Sequence, residues 1–290
     1  MNQIKTRSHF GFIGFGLIGG SVARALREIY PDSDIMAYNY YETKPNDRLE
    51  YAKENGTLSR ISTSLSDFSE CDVIFLCAPV IKNVAYLEKL MPYLKEDCIL
   101  TDVGSVKGNI HKAIAKLGLS RQFVGGHPMT GSEKTGYANS DASFLKDAYY
   151  ILTPTKETNP EYTEWMKSFV DAAGSICMIL DEISHDRITA GISHVPHIIS
   201  AALVNAVAAR DDKGYYGKLA AGGFRGITRI SSSSPEMWEN ICLTNPDAIL
   251  ECLDECIAIL EQSKKAIIER DSEALTKFFS DAKTYRDSIL

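Results

Sequence analysis

Residues 10–21 read Phe10-Gly11-Phe12-Ile13-Gly14-Phe15-Gly16-Leu17-Ile18-Gly19-Gly20-Ser21, an apolar run that breaks into a glycine loop and then into an amphipathic stretch. By itself G-x-G-x-x-G is a weak signal. Between a strand and a helix, at the head of a βαβ unit, it predicts a dinucleotide-binding turn. Glycines there let backbone N–H groups and the positive end of the helix approach a pyrophosphate. Gly14, Gly16, Leu17, Ile18 and Gly19 are therefore the expected cofactor-binding residues.

Outward from this loop, short β-branched and apolar runs alternate with amphipathic stretches, the pattern of a parallel sheet flanked by helices. Strands are expected over 10–13, 34–38, 73–78, 98–102, 123–125, 149–153 and 175–180, with helices over 18–29, 44–54, 84–94, 107–117 and 160–173. From Glu182 the strand signal stops. Residues 183–209 read as one long helix, and 246–269 and 271–288 as two more. The expectation is a Rossmann-like α/β nucleotide-binding domain over 1–181 and an all-α domain over 182–290. The first of these helices is apolar around much of its circumference, more than a small bundle can cover, which points to a homodimer formed through the helical domain. Ser231–Ser234 before Pro235 reads as a helix N-cap region.

With 290 residues, 44% of them hydrophobic, the chain can build a real core. A formal charge of −7 and no Lys/Arg-rich run argue against nucleic acid or an anionic membrane as partner. A small-molecule substrate fits better. No apolar run reaches the roughly 20 residues that span a bilayer, and the polar residues 1–8 leave no room for a signal sequence, so a cytoplasmic protein is expected. Seven cysteines without CxxC spacing read as reduced.

Chemistry concentrates in four further segments. The first, Gly125-Gly126-His127-Pro128-Met129-Thr130-Gly131-Ser132-Glu133-Lys134, carries an imidazole with an ordinary pKa near 6.5, suited to sharing a proton with an alcohol oxidised at a nicotinamide. In Asp102-Val103-Gly104-Ser105-Val106-Lys107, which follows a strand at the sheet's ligand edge, Ser105 is either a ligand-side hydroxyl or the N-cap of a helix starting at Val106. Within the long helix, Ser193-His194-Val195-Pro196-His197 should loosen a turn, because Pro196 cannot donate to the Ile192 carbonyl. His185, His194 and His197 share faces suited to zinc, but no acidic third ligand at a matching spacing accompanies them and no metal is expected. Finally, Gly222-Gly223-Phe224-Arg225-Gly226-Ile227-Thr228-Arg229 sets two arginines in an apolar, glycine-rich context, one of them a candidate anion clamp. About 20 positions beyond the glycine loop, where an acidic residue would select NAD, stands Asn39. Its amide could bond a ribose hydroxyl without repelling a 2′-phosphate, and Lys44 or Arg48 could approach such a phosphate. The cofactor is NAD or NADP, with NAD slightly favoured.

Taken together, GFGLIGGS, DVGSVKG, GGHPMTGSEKTG, SHVPH, GGFRGITR and SSSPEMW resemble the prephenate dehydrogenase family in order and spacing across the chain. The resemblance implies an N-terminal nucleotide-binding domain, a helical dimerisation domain and NAD(P)+-dependent oxidative decarboxylation of prephenate to 4-hydroxyphenylpyruvate in tyrosine biosynthesis. It implies that His127 is the catalytic histidine accepting a hydrogen bond from the ring hydroxyl, and that Ser105 bonds this histidine and the same hydroxyl. It further implies that His197 lies near the pyruvyl side chain and that Arg229 holds a substrate carboxylate. Arg225, Ser132 and Glu133 are weaker substrate-binding candidates. The rivals are an arogenate dehydrogenase, a β-hydroxyacid-type dehydrogenase and a redox-sensing nucleotide-binding module.

Overall fold

The apolar head of the chain forms strand β1 (His9–Ile13), and the glycine loop opens directly into helix α1 (Leu17–Ile29). The computed structural model describes residues 6–41, 43–132 and 134–289, in two compact units, Met1–Asn245 and Pro246–Leu290. In the first unit β1 and α1 are followed by β2 (Asp34–Tyr38), α2 (Asp47–Glu54), β3 (Arg60–Ser62), β4 (Val73–Leu76), α3 (Val80–Leu90), β5 (Ile99–Asp102), α4 (Gly108–Lys116), β6 (Phe123–Pro128), β7 (Tyr149–Pro154), α5 (Pro160–Ala172) and β8 (Ile176–Ile179). One sheet results, in the order β3-β2-β1-β4-β5-β6-β7-β8.

Side chains alternate across this sheet, as a two-residue repeat requires. Phe10, Phe12 and Phe75 enter one buried layer with Trp165 and Phe169 of α5, while Ile13, Ile74 and Leu76 enter another with Leu87 of α3 and Ile110 and Ile114 of α4. Each large apolar side chain so buried contributes about 1.5–3 kcal/mol. Burial on both faces explains why these strands read as continuous apolar runs. All neighbouring strands are parallel except β6 and β7, which run antiparallel with His127 opposite Ile151. Among its described residues the link between them holds only short 3-10 turns, not the crossover helix a parallel neighbour needs. The pairing also carries β6 to Pro128, so His127 stands on a strand rather than in the expected loop.

Three further corrections concern the helical part. The expected single helix over 183–209 is α6 (Glu182–Thr189), a π turn over Ala190–His194, and α7 (Val195–Ala208). The wide turn lies just ahead of Pro196, where a helical carbonyl loses its donor. Against expectation, Glu182–Ala208 is long and apolar enough to span a bilayer by length and composition, 27 residues with a mean hydropathy of 1.3 in its most apolar window. Its buried His185, Asp186 and His194 are nevertheless hydrogen-bonded within the first unit. The glycine-rich stretch that gave no helical signal contains α8 (Tyr215–Leu219) and α9 (Gly222–Thr228). By contrast α10 (Pro235–Thr244) begins as read, with Pro235 in its first turn and the Ser234 hydroxyl accepting from Met237 N. The second unit is a pair of helices, α11 (Pro246–Glu269) and α12 (Ser272–Ser288), joined through Arg270 in a left-handed conformation and capped by Asp271. All seven cysteines are free, with Cys71 and Cys98 buried.

Close packing at Gly126 gives a direct test. A methyl group added there would lie 2.6 Å from the Asp102 carbonyl oxygen and 3.0 Å from the Tyr150 ring. Both are fixed by sheet pairing, so Gly126→Ala is expected to lower the unfolding free energy by about 1–3 kcal/mol. An unchanged urea midpoint would contradict this.

Candidate active site

The glycine loop has the three features that a pyrophosphate turn requires. Gly14 has φ +87°, and a Cβ there would meet Ala78 N at 2.4 Å. At Gly16 an added Cβ would meet nothing within 4 Å, so a ligand can approach the backbone closely. At Gly19 it would lie 3.0 Å from Cys77 Cβ, in the contact between α1 and the end of β4. The first turn of α1, starting at Leu17 and Ile18, holds no acidic side chain and no side-chain cap, leaving its N–H groups for an anion. Beside it opens a cavity of about 880 Å³ whose lining includes Gly14, Gly16, Tyr40, Lys44, Arg48 and Ala78. The residues present thus fit a dinucleotide.

Asn39 does not have its expected free amide. It is 4% exposed, its Nδ2 donates to the Lys44 carbonyl (2.8 Å) and its Oδ1 accepts from Tyr41 N (3.1 Å). The amide folds the loop that brings Tyr40, Tyr41 and Lys44 to the cavity, and is consumed in doing so.

Parallel pairing of β1, β4, β5 and β6 puts the ends of all four on one edge of the sheet. His127, on β6, is three strand spacings from β1, about 14 Å, within reach of a dinucleotide whose pyrophosphate lies at Gly14–Gly19. Buried side chains fix this strand end. Asp102 Oδ1 accepts from Gly126 N (3.1 Å), and Lys107, with no exposed surface, donates from Nζ to Asp102 Oδ2 and to the Gly126 carbonyl (2.6 Å). Burial pulls the Lys107 ammonium below its ordinary pKa, against the attraction of Asp102.

Among the described residues the His127 side chain has one hydrogen-bond partner, and sequence reasoning missed it. Its Nδ1 lies 2.8 Å from Nε2 of His185, which is fully buried on α6. His185 Nδ1 is 2.8 Å from Asp186 Oδ1, and the same carboxylate accepts from Lys107 N and Gly108 N, each at 2.7 Å. Asp186 therefore caps α4 from 78 residues away. Ser105 is not that cap, and α4 starts two residues beyond the expected Val106. Nor does the Ser105 hydroxyl bond His127; among the described residues it has no hydrogen-bond partner, and it is partly exposed. The available signal for the partner was the His185-Asp186 dipeptide on a helix, an acid and an imidazole side by side.

The remaining candidates fall on α7 and the segments packed against it. His197 Nδ1 donates to the Ser193 carbonyl (2.8 Å), and its ring stacks on Trp238 with centroids 3.8 Å apart. His194 is a core residue, 1% exposed, with Nδ1 3.3 Å from Asn245 Nδ2. Arg229 begins the short helical turn after α9, exposed and close enough to His197 to depress its pKa. Arg225 is exposed on α9, and exposed Ser132 accepts from Lys134 N (3.2 Å). Glu133 lies outside the described residues. Among the described residues no three His, Cys, Asp or Glu side chains gather as a metal site.

Electrostatics favour uncharged imidazoles around the site. Burial, followed by His185, Lys107 and His194, holds His127 well below its ordinary value of 6.5. Burial is also the largest cause of the lowered values at His111, His185 and His197, and at His194, which falls to about 4. The arrangement offers a neutral imidazole on the sheet edge that carries the glycine loop, and a second imidazole, His197, close to Arg229.

Comparison with known proteins gives a consistent picture. Residues 22–178 match the family model for the prephenate dehydrogenase nucleotide-binding domain, and 181–281 that for the prephenate dehydrogenase dimerization domain. The chain is 35% identical to the prephenate dehydrogenase of Bacillus subtilis, covering 100% of this chain and 77% of that one. It is 30% identical to the cyclohexadienyl dehydrogenase of Zymomonas mobilis, covering 96% and 94%. The crystal structure of prephenate dehydrogenase from A. aeolicus in complex with hydroxyphenyl propionate and NAD+ superposes with a TM-score of 0.91 at 30% identity, over 99% of each chain. Synechocystis arogenate dehydrogenase does so with a TM-score of 0.84 at 30% identity, over 97% and 100%.

The depressed histidines make acid the expected weakness of the fold. Between the folded and unfolded pKa values the unfolded chain binds more protons, so stability is greatest above about pH 6.5 and falls as the pH drops below it. Each fully buried imidazole contributes up to about 1.4 kcal/mol per pH unit. Urea unfolding followed from about pH 7.5 to about pH 5.5 should show a plateau that gives way to a falling free energy below about pH 6.5. A flat profile would contradict the buried, neutral assignment.

Proposed function

The chain belongs to the prephenate dehydrogenase family, and we propose that it oxidises prephenate to 4-hydroxyphenylpyruvate, with NAD+ or NADP+ as hydride acceptor. The observation that carries this reading is His127, held uncharged on a strand end at the same sheet edge as the glycine loop. A bound nicotinamide accepts the hydride. The chain's own residues orient the substrate and polarise it.

His127 accepts a hydrogen bond from the ring hydroxyl, which raises electron density at the carbon that gives up hydride. As hydride leaves, the bond to the ring carboxylate breaks, CO2 departs, and its electron pair completes the aromatic ring. No net proton is released, so an acceptor suffices and a strong base is unnecessary. Aromatisation supplies the driving force, and the protein contributes positioning and polarisation.

In this reading Ser105, partly exposed beside Asp102 and Gly104, meets the substrate hydroxyl directly. His197 faces the pyruvyl side chain, its ring pinned by Trp238. Arg229 takes a substrate carboxylate, with Arg225, Ser132 and Glu133 as weaker contacts. Arg229 is a binding group rather than an accelerator, because gripping the departing carboxylate tightly would stabilise the ground state. Gly14, Gly16, Leu17, Ile18 and Gly19 hold the pyrophosphate. Asn39 shapes the ribose loop indirectly, and we keep NAD slightly ahead of NADP. Residues 1–181 would form the nucleotide domain and 182–290 the substrate and dimerisation domain of a cytoplasmic homodimer. Support comes from the matched dimerization-domain model and from exposed apolar side chains such as Ile192 (65%) and Leu219 (81%).

Nicotinamide reduction measured with prephenate and with arogenate, each with NAD+ and NADP+, is expected to show turnover of prephenate. No turnover of prephenate with either cofactor would overturn the proposal. His127→Asn should lower kcat about 10²- to 10⁴-fold with little change in KM. Arg229→Ala should chiefly raise KM, about 10- to 100-fold, as loss of a charged hydrogen bond implies. Equal losses in both parameters for both variants would contradict these roles.

A further inference from the structure

The contacts of His127 raise a question that its position alone does not answer, namely which of its two nitrogens carries the proton. An acceptor toward the substrate must present a bare nitrogen. The same imidazole with the opposite tautomer would present an N–H and repel the hydroxyl's hydrogen.

We propose that His185 and Asp186 are positioning residues that lock His127 in the tautomer protonated at Nδ1, leaving Nε2 bare for the substrate. The inference rests on the reaction proposed above, but the chain of hydrogen bonds is independent of it. Asp186 accepts two backbone N–H bonds at the start of α4, from Lys107 and Gly108, which fixes its carboxylate in place and in charge. Those bonds and His185 outweigh the opposing effect of burial and hold the carboxyl below its ordinary range. A carboxylate only accepts, so at 2.8 Å the proton between Asp186 and His185 sits on His185 Nδ1. Burial keeps His185 neutral, so its Nε2 has a lone pair and no hydrogen. Across the 2.8 Å contact the donor must then be His127 Nδ1. The substrate-facing nitrogen of His127 is thereby left unprotonated by a chain of constraints that begins at a helix terminus.

The ring of His185 is also a mechanical stop. It is completely buried, its backbone carbonyl accepts from Thr189 Oγ1 (2.9 Å), and its centroid is 5.0 Å from that of His127. His127 therefore cannot rotate to exchange its nitrogens without breaking its hydrogen bond to His185. A catalytic imidazole with the wrong tautomer or orientation loses most of its effect even when nothing around it moves.

The test combines a spectrum with kinetics. Nitrogen-15 spectra of the intact protein labelled in histidine, with His127→Asn assigning the resonance, should show His127 protonated at Nδ1 and bare at Nε2 with no substrate present. A spectrum with Nε2 protonated overturns the relay whatever the enzyme's activity, so this readout is separate from the reaction proposed above. His185→Leu should mix the two His127 tautomers and lower kcat about 100-fold, the low end of what a catalytic imidazole contributes, while KM changes less than about threefold. His185→Gln retains an amide oxygen that can accept from His127 Nδ1, and should recover most of kcat. A His185→Leu enzyme with unchanged kcat, a change confined to KM, or a His185→Gln enzyme no better than His185→Leu would each defeat the proposal.

Discussion

Lys107 is a cation with no contact with solvent, and the geometry of the site hangs on the carboxylate that accompanies it. Where β5 ends, backbone pairing with β6 stops, and the Asp102 and Lys107 side chains take over. One accepts from the Gly126 N–H and the other donates to the Gly126 carbonyl. The residue before His127 is thus held at both of its backbone polar groups. Removing one partner of a pair this buried strands the other charge and typically costs about 3–5 kcal/mol. Burial and His185 do most to keep His127 uncharged, and the same ammonium adds to them, so the pair that anchors the strand also helps hold the imidazole neutral.

Much of this fold was legible because local and tertiary demands agreed. Strand β2 and helix α11 fall where the sequence puts them, residue for residue, since alternation, proline and turn residues all mark the same ends. Strand β3 was missed because it is three residues long and polar, an edge strand whose Arg60 pairs with Asp34 and Glu70. Helices α8 and α9 were missed because glycine and short length hide any periodicity. The direction of β7 was unreadable because nothing in its own residues distinguishes parallel from antiparallel pairing.

The site divides along the same line. The glycine loop, with its backbone conformation tied to residue type, could be read in full. His127 could be singled out, but its partner could not, since His185 is 58 residues away and joins it only through folding. Ser105 was a reasonable cap by local rules. Asp186 takes that work because a carboxylate delivered from another helix satisfies two N–H groups at once. Asn39 was expected from its position to serve a ligand, and the short-range bonds that occupy it are those asparagine makes in turns.

The wide turn over Ala190–His194 has a geometric consequence for the helix that carries it. Twelve residues separate His185 from His197, and at about 100° per residue an unbroken α-helix would set them about 120° apart in azimuth. A π turn absorbs one extra residue. The effective count becomes about eleven, and the two imidazoles come to within about 20° of the same bearing. A single surplus residue thus works like a phase shift, bringing the group that braces His127 and the ring that rests on Trp238 round to a common side.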